Sequence, residues 1–188
     1  MRIITGSARG TKLISLEGEA TRPTAERAKE AVFSMIQFEI EGRRVLDLYA
    51  GSGQLGLEAL SRGAAFCMFV DQNPEAIAIV KKNADKTKLA DKCRTIISDA
   101  CNYVRKISGG EKYNIIFVDP PYASGLIVPT LERIIASDIL APGGLVFCET
   151  DKEDPFEDRQ DIFEHFELRK NGSYGKIKMF LLEKKAEN

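Results

Sequence analysis

Val45-Leu46-Asp47-Leu48-Tyr49-Ala50-Gly51-Ser52-Gly53-Gln54-Leu55-Gly56 is the stretch that decides the fold. A short apolar run leads into a loop with GxGxxG glycine spacing, and a helical pattern follows. Strand, glycine turn and helix in that order open a βαβ unit, whose turn faces the carboxyl edge of a parallel sheet, where open α/β folds bind ligands. The rhythm continues outward from there. Apolar runs at 66–70, 95–97, 115–118 and 145–148 alternate with helical stretches, which predicts a parallel sheet covered on both faces. Asn73-Pro74 supplies an N-cap and an N1 proline for a helix to about Lys88, with Ile77, Val80 and Ala84 on one face, and Gly63 can close the helix that begins after Gly53. Near the end, residues 166–169 and 178–182 flank Asn171-Gly172-Ser173-Tyr174-Gly175, which reads as an antiparallel hairpin around a turn-rich loop. Ahead of the sheet, Thr24 can cap a helix reaching about Phe38, with Ala28, Val32, Met35 and Ile36 on its apolar stripe. Residues 1–22, with glycines at 6, 10 and 18, read as short strands or an irregular arm.

The chain of 188 residues suits one domain, 1–188, with an amino-terminal extension and helix over 1–40 and a core over 41–188. Apolar residues at 44% and charged residues at 29%, without repeats or low-complexity tracts, exclude disordered and fibrous classes. The longest apolar run, around residues 113–118, falls far short of the roughly 18 to 20 a membrane span requires, and no signal-peptide core follows the first residues, so a cytoplasmic monomer is expected. Cys67, Cys93, Cys101 and Cys148 lack CxxC spacing and His165 is the single histidine, which argues against a zinc cage, a disulfide framework or a histidine triad; no metal is expected. A net charge of −1 gives no global argument for nucleic acid. Locally the balance differs: the first sixteen residues carry Arg2, Arg9 and Lys12 and no acid, and Arg22, Arg27 and Lys29 follow, a pattern open to either a solvated surface or a phosphate-contacting arm.

The glycine loop alone is compatible with NAD, FAD or S-adenosylmethionine, and the absence of a GK[ST] ending excludes a Walker phosphate loop. Asp47, four residues before the first glycine, places a carboxylate where an ammonium is more welcome than a pyrophosphate, and S-adenosylmethionine has that ammonium. Asp71 follows the second strand, 18 residues beyond Gly53, where it can accept hydrogen bonds from two ribose hydroxyls, although a turn role is open to it. Asp99, after the third strand, could meet an adenine amino group and the Ala100 amide a ring nitrogen; an N-cap role for Asp99 explains it nearly as well.

The sharpest feature is Asp119-Pro120-Pro121-Tyr122, directly after the apolar run 115–118. Two prolines fix a corner without backbone donors, leaving the Asp119 carboxylate and nearby carbonyls as acceptors for an exocyclic NH2, while Tyr122 can stack on a base. Accepting both hydrogens aims the nitrogen lone pair at the methyl group and offsets the positive charge developing on nitrogen.

This motif resembles the [DNS]PP[YF] corner of amino-group methyltransferases, and residues 47–56 resemble their cofactor loop. More narrowly, Arg2-Ile3-Ile4-Thr5-Gly6 with Arg9-Gly10, Arg22-Pro23-Thr24 leading to Arg27, and Asp47-Leu48-Tyr49-Ala50-Gly51-Ser52-Gly53 resemble the RsmD-type guanine-N2 methyltransferases of bacterial small-subunit ribosomal RNA, over nearly the whole chain. The resemblance implies a Rossmann-like class I fold with a mostly parallel seven-stranded α/β sheet and S-adenosylmethionine as cofactor, with S-adenosylhomocysteine as product. It implies that Asp47, Ala50, Gly51, Gly53, Asp71, Asp99 and Ala100 bind the cofactor. Asp119, Pro120, Pro121 and Tyr122 would hold a flipped guanine, and Arg9, Arg22, Thr24 and Arg27 the ribosomal RNA of an assembling small subunit. Methylation of a glutamine amide in a translation factor is the competing reading, since that amide offers the same NH2.

Overall fold

The computed structural model describes residues 1–16, 23–122, 124–151 and 154–186, apart from the side chains of residues 23–25. Seven strands form one sheet: β1 (Arg44–Asp47), β2 (Phe66–Asp71), β3 (Cys93–Ile97), β4 (Tyr113–Val118), β5 (Leu140–Thr150), β6 (Phe166–Tyr174) and β7 (Ile177–Lys184), in spatial order β3-β2-β1-β4-β5-β7-β6. Between them run α1 (Pro23–Met35), α2 (Gln54–Ser61), α3 (Pro74–Thr87), α4 (Ala100–Lys106), α5 (Ile127–Ser137) and the short α6 (Ile162–His165). Strands β1 to β5 are parallel, and β7 enters between β5 and β6 antiparallel to both. The expected parallel α/β sheet, with one strand reversed by the carboxyl-terminal hairpin, is the fold of this chain.

The central strand β4 and residues 145–148 of β5 are apolar because both faces are covered, whereas the edge strand β6 is polar and largely exposed. Successive side chains point to opposite faces. Val45, Ile115, Phe117, Leu145 and Phe147 enter the core under α1, α2 and the amino-terminal arm, whereas Leu46, Ile116, Val118, Val146 and Cys148 enter the core under α4 and α5. α3 begins as its sequence foretells: Asn73 accepts the Glu75 N–H at 2.9 Å and Pro74 occupies the first turn.

Four boundaries differ from expectation. α1 opens at Pro23, so Thr24 lies in its first turn and is not its cap. The same helix stops at Met35 because Ile36 and Ile40 both turn into the core, which leaves Phe38 between them 92% exposed. Asn171 to Tyr174 belong to β6 and not to a loop: Tyr174 pairs with Ile177, and the turn is only Gly175-Lys176, opened by Gly175 at φ 63. β5 starts at Leu140, five residues early, since Pro142-Gly143-Gly144 is absorbed as an irregularity between the Tyr113–Leu140 and Ile115–Leu145 pairs.

The amino-terminal arm climbs α2 from its last residue toward the glycine loop. Ser61 accepts the Ala8 N–H at 3.0 Å and donates to the Thr5 carbonyl at 2.6 Å. The fully buried Glu58 accepts the N–H groups of Ile4 (2.8 Å) and Thr5 (3.0 Å) and pairs with Arg62 (2.8 Å) and Lys29 (3.4 Å). Further up, Asn83 of α3 brackets Ile14, accepting its N–H at 2.8 Å and donating to its carbonyl at 2.9 Å; the same amide donates to the Ser52 carbonyl at 2.9 Å. Lys29 therefore leaves the group of candidate phosphate contacts. It is 2% exposed, gives Nζ to the Arg2 carbonyl at 2.6 Å, and has its pKa lowered by burial against the pull of Glu58.

Candidate active site

The chain leaves β1 for β2 and β3 on one side, then returns to β4 on the other side of β1. A ligand crevice opens at such a reversal, above the carboxyl ends of the strands. Leu48 extends the sheet one bond into this region, its N–H reaching the Phe117 carbonyl at 3.1 Å. The loop then doubles back through Gly51 (φ 51) and Gly53 (φ 81), a path that L side chains strain to follow. Gly56 meets a different demand: a Cβ there would stand 2.3 Å from the Phe69 ring, so only a bare backbone lets α2 lie against β2.

Around the loop stand the acidic residues singled out in the sequence. Asp47 does not face the crevice directly. It is 1% exposed, lies under the loop and accepts the Gly56 N–H at 3.0 Å; burial raises its pKa to about 7, against that hydrogen bond and with a smaller push from Asp71. Asp71 is half-buried, accepting from Gly51 N at 2.9 Å with one oxygen and from Asn73 N at 2.9 Å with the other. Ala50 N is spent on the Val70 carbonyl at 3.0 Å, so Ala50 anchors the loop to β2. Asp99 caps α4 through the Asn102 N–H at 2.9 Å, and Ala100 is buried as the first residue of that helix. Ile97 lies opposite Asp71 in the β2–β3 register and is 55% exposed, an apolar surface at the sheet edge.

This set fits S-adenosylmethionine. A carboxylate has about four acceptor sites, and the two backbone bonds leave Asp71 capacity for a diol. Ile97 offers an apolar face beside it, and Asp47 supplies negative charge from below.

The proline corner stands at the end of the neighbouring strand. Asp119 is half-buried, Pro120 buried, and Pro121 and Tyr122 exposed. One corner carbonyl, that of Pro121, already accepts the Ser124 N–H at 3.2 Å. Tyr122 is 53% exposed and donates Oη to Glu149 Oε1 at 3.1 Å. Burial and the negative charges of Glu149 and Asp119 push its pKa well up, so the phenol keeps its proton. Pro120, Pro121, Tyr122, Leu126, Ile127 and Glu149 are among the residues lining a cavity of about 410 Å³, within the range of small-ligand sites. Its far wall is tied to the glycine loop: Tyr49 Oη lies 2.7 Å from Thr130 Oγ1. Because Thr130 donates to the Leu126 carbonyl at 2.7 Å, the proton between the two hydroxyls comes from Tyr49.

The structure thus gathers Asp47, Ala50, Gly51, Gly53, Asp71, Asp99, Ala100 and Asp119 to Tyr122 along one sheet edge. It does not bring Arg9 there: Arg9 follows Ala8, which is fastened to Ser61 at the far end of α2, and is exposed. Arg27 is exposed on α1, while Arg22 and the Thr24 side chain lie outside the described residues. Glu149 was missed by sequence reasoning, yet it stands after the 145–148 run as Asp71 and Asp119 stand after theirs. Asking what closes every strand would have found it. Among the described residues no group of three or more His, Cys, Asp and Glu is placed to hold a metal ion, and no helix is long and apolar enough to cross a membrane.

The family model described as Conserved hypothetical protein 95 matches residues 1–183. Over 154 residues the chain is 39% identical to the putative rRNA methyltransferase YlbH of Bacillus subtilis, covering 81% of this chain and 84% of that protein. It is 35% identical over 153 residues to the ribosomal RNA small subunit methyltransferase D of Escherichia coli, covering 81% and 76% of the two. This chain belongs to the RsmD family. As an RsmD-family protein it is an S-adenosylmethionine-dependent methyltransferase. Among solved structures, the putative methyltransferase yhhF from Escherichia coli matches this RsmD-family fold with a TM-score of 0.85 at 31% identity, covering 100% of this chain and 99% of that one.

Proposed function

We propose that this RsmD-family chain methylates the exocyclic N2 of a guanine in small-subunit ribosomal RNA, within an assembling small subunit. The observation that carries the reading is the corner Asp119-Pro120-Pro121-Tyr122, whose two prolines carry no N–H, at the end of β4, one strand from the glycine loop that follows β1. The names of the Escherichia coli and Bacillus subtilis relatives point the same way on RNA. S-adenosylmethionine, when bound, supplies an electrophilic methyl group on a sulfonium. The glycine loop and Asp71 would hold the cofactor, Asp71 through its diol, and Asp47 would favour its cationic end through the field beneath the loop. Asp119 accepts a hydrogen of the target amino group and a corner carbonyl accepts the other, so the nitrogen lone pair is presented while its developing positive charge meets a carboxylate. Tyr122 stacks on a base turned out of its helix, since a paired base cannot reach a recessed corner. Exposed Arg9 and Arg27 meet the RNA backbone, and Arg22 and Thr24 are assigned the same partner.

The test is incubation with methyl-labelled S-adenosylmethionine and small subunits from cells lacking this gene, followed by nucleoside mass spectrometry. Labelled N2-methylguanosine is expected. Label in protein would favour the glutamine amide, and label in a different nucleoside would overturn the guanine assignment.

A further inference from the structure

The proposed reaction uses Asp119 and Tyr122 but leaves Glu149 without a task. β4 and β5 run parallel and their last paired residues are Val118 and Cys148, so Asp119 and Glu149 are the next residues on adjacent strands at the same edge. Tyr122 Oη donates to Glu149 Oε1, which fixes the exposed ring and this carboxylate to one another. Both line the same cavity with Pro120 and Pro121. Its described lining includes Asp154 as a second acid and contains no lysine, arginine or histidine. Burial raises the pKa of Glu149, and the Tyr122 hydrogen bond only partly offsets this. A desolvated carboxylate in such a setting is an acceptor waiting for a donor from the ligand, and one phenol bond leaves capacity to spare.

Guanine offers adjacent donors, N2–H2 and N1–H, on one edge. With the N2 amino group at Asp119, one of the two orientations of the base turns the neighbouring N1–H toward the next strand, where Glu149 stands. We propose that Glu149 is the specificity-determining residue of this site, accepting the N1–H of the target guanine while Tyr122 covers its face. This rests on the guanine-N2 reading and adds to it how the site recognises a purine that carries both donors. A base with the amino group but with an acceptor at N1 would set a lone pair against the carboxylate.

That base exists as 2,6-diaminopurine, which keeps the 2-amino group and lacks N1–H. After labelling has located the methylated guanine, small subunits are assembled with RNA carrying guanine or 2,6-diaminopurine at that position, and kcat/KM is compared for the full-length wild type and Glu149→Gln. The wild type is expected to favour guanine about 10- to 100-fold, the effect of leaving one buried acceptor without its donor. In Glu149→Gln the amide can turn its NH2 toward N1 of 2,6-diaminopurine, so the preference is expected to fall to near or below one. Equal loss on both bases with the ratio kept would show that Glu149 merely holds Tyr122, and would overturn the proposal. A wild-type ratio near one overturns it with no variant at all, which covers the case of a variant that fails to fold. Failure of the underlying reading looks different: the wild type then yields no N2-methylguanosine from guanine RNA.

Discussion

Replacing Glu58 by alanine tests how the amino-terminal arm is attached. The substitution removes the acceptor for Ile4 N, Thr5 N and Arg62, and it leaves Lys29 buried with the Arg2 carbonyl as acceptor and only the weaker pull of Glu26 as counter-charge. Breaking a buried pair on one side costs about 3–5 kcal/mol. An upper bound on the lysine part follows from its own escape route, loss of the proton. Bringing a lysine of ordinary pKa, about 10.4, to the neutral form at pH 7 spans about 3.4 units at about 1.36 kcal/mol each, or about 4.6 kcal/mol. The two backbone amides add less than their dry value, because the first residues can peel away to water. Urea unfolding at pH 7 is therefore expected to show Glu58→Ala less stable by about 3–5 kcal/mol, with the arm newly open to protease. The deficit should also shrink with alkalinity. With Lys29 neutral in the folded variant and charged in the unfolded chain, the unfolded state binds more protons, so stability rises by about 1.4 kcal/mol per pH unit until the ordinary lysine pKa is reached. A deficit that is the same at pH 7 and pH 9 would refute the reasoning, since it would mean that Lys29 stays charged and has found water.

Four further outcomes are expected. Asp119→Ala lowers turnover by about 10²- to 10³-fold with little change in S-adenosylmethionine affinity, and an equal loss of cofactor binding would remove Asp119 from the chemistry. Asp47, with its pKa raised to about 7, holds its proton more tightly folded than unfolded; unliganded stability should thus fall as pH rises from about 4 to about 7. A cationic ligand favours the charged carboxylate, so calorimetry should show S-adenosylmethionine binding tighten from pH 6 to pH 8, and Asp47→Asn should flatten that profile. Asn83→Asp sets a carboxylate oxygen against the Ile14 and Ser52 carbonyls and should weaken cofactor binding while costing about 1–3 kcal/mol in stability; unchanged affinity would uncouple arm from loop.

How much of this was legible in the sequence depends on the range of the physics involved. The succession of strands and helices was readable because it follows from local patterns: apolar runs of strand length, Asn73-Pro74 at a helix start, and glycines where the chain reverses. The Asp119 corner was readable because four consecutive residues carry its chemistry. What failed depended on partners distant in sequence. Lys29 looks like any basic residue near an arm until Glu58, 29 positions on, is brought against it by α1 packing over α2. Asn171-Gly172-Ser173-Tyr174 has the composition of a loop, and only pairing with residues 177 to 180 of β7 makes it strand.

Asp47 shows a subtler limit. Its spacing from Gly51 places it at the glycine loop, but spacing does not say on which side of the loop a carboxylate lies. With the side chain turned under and bound to Gly56 N, its influence reaches the crevice as a field and not as a contact. Contact and field give different pH behaviour. A surface carboxylate that touches its ligand keeps a low pKa, and cofactor affinity would be level near neutrality. A buried one titrates near neutrality, so cofactor affinity is expected to inherit its pH dependence, and the calorimetric profile separates the two arrangements directly.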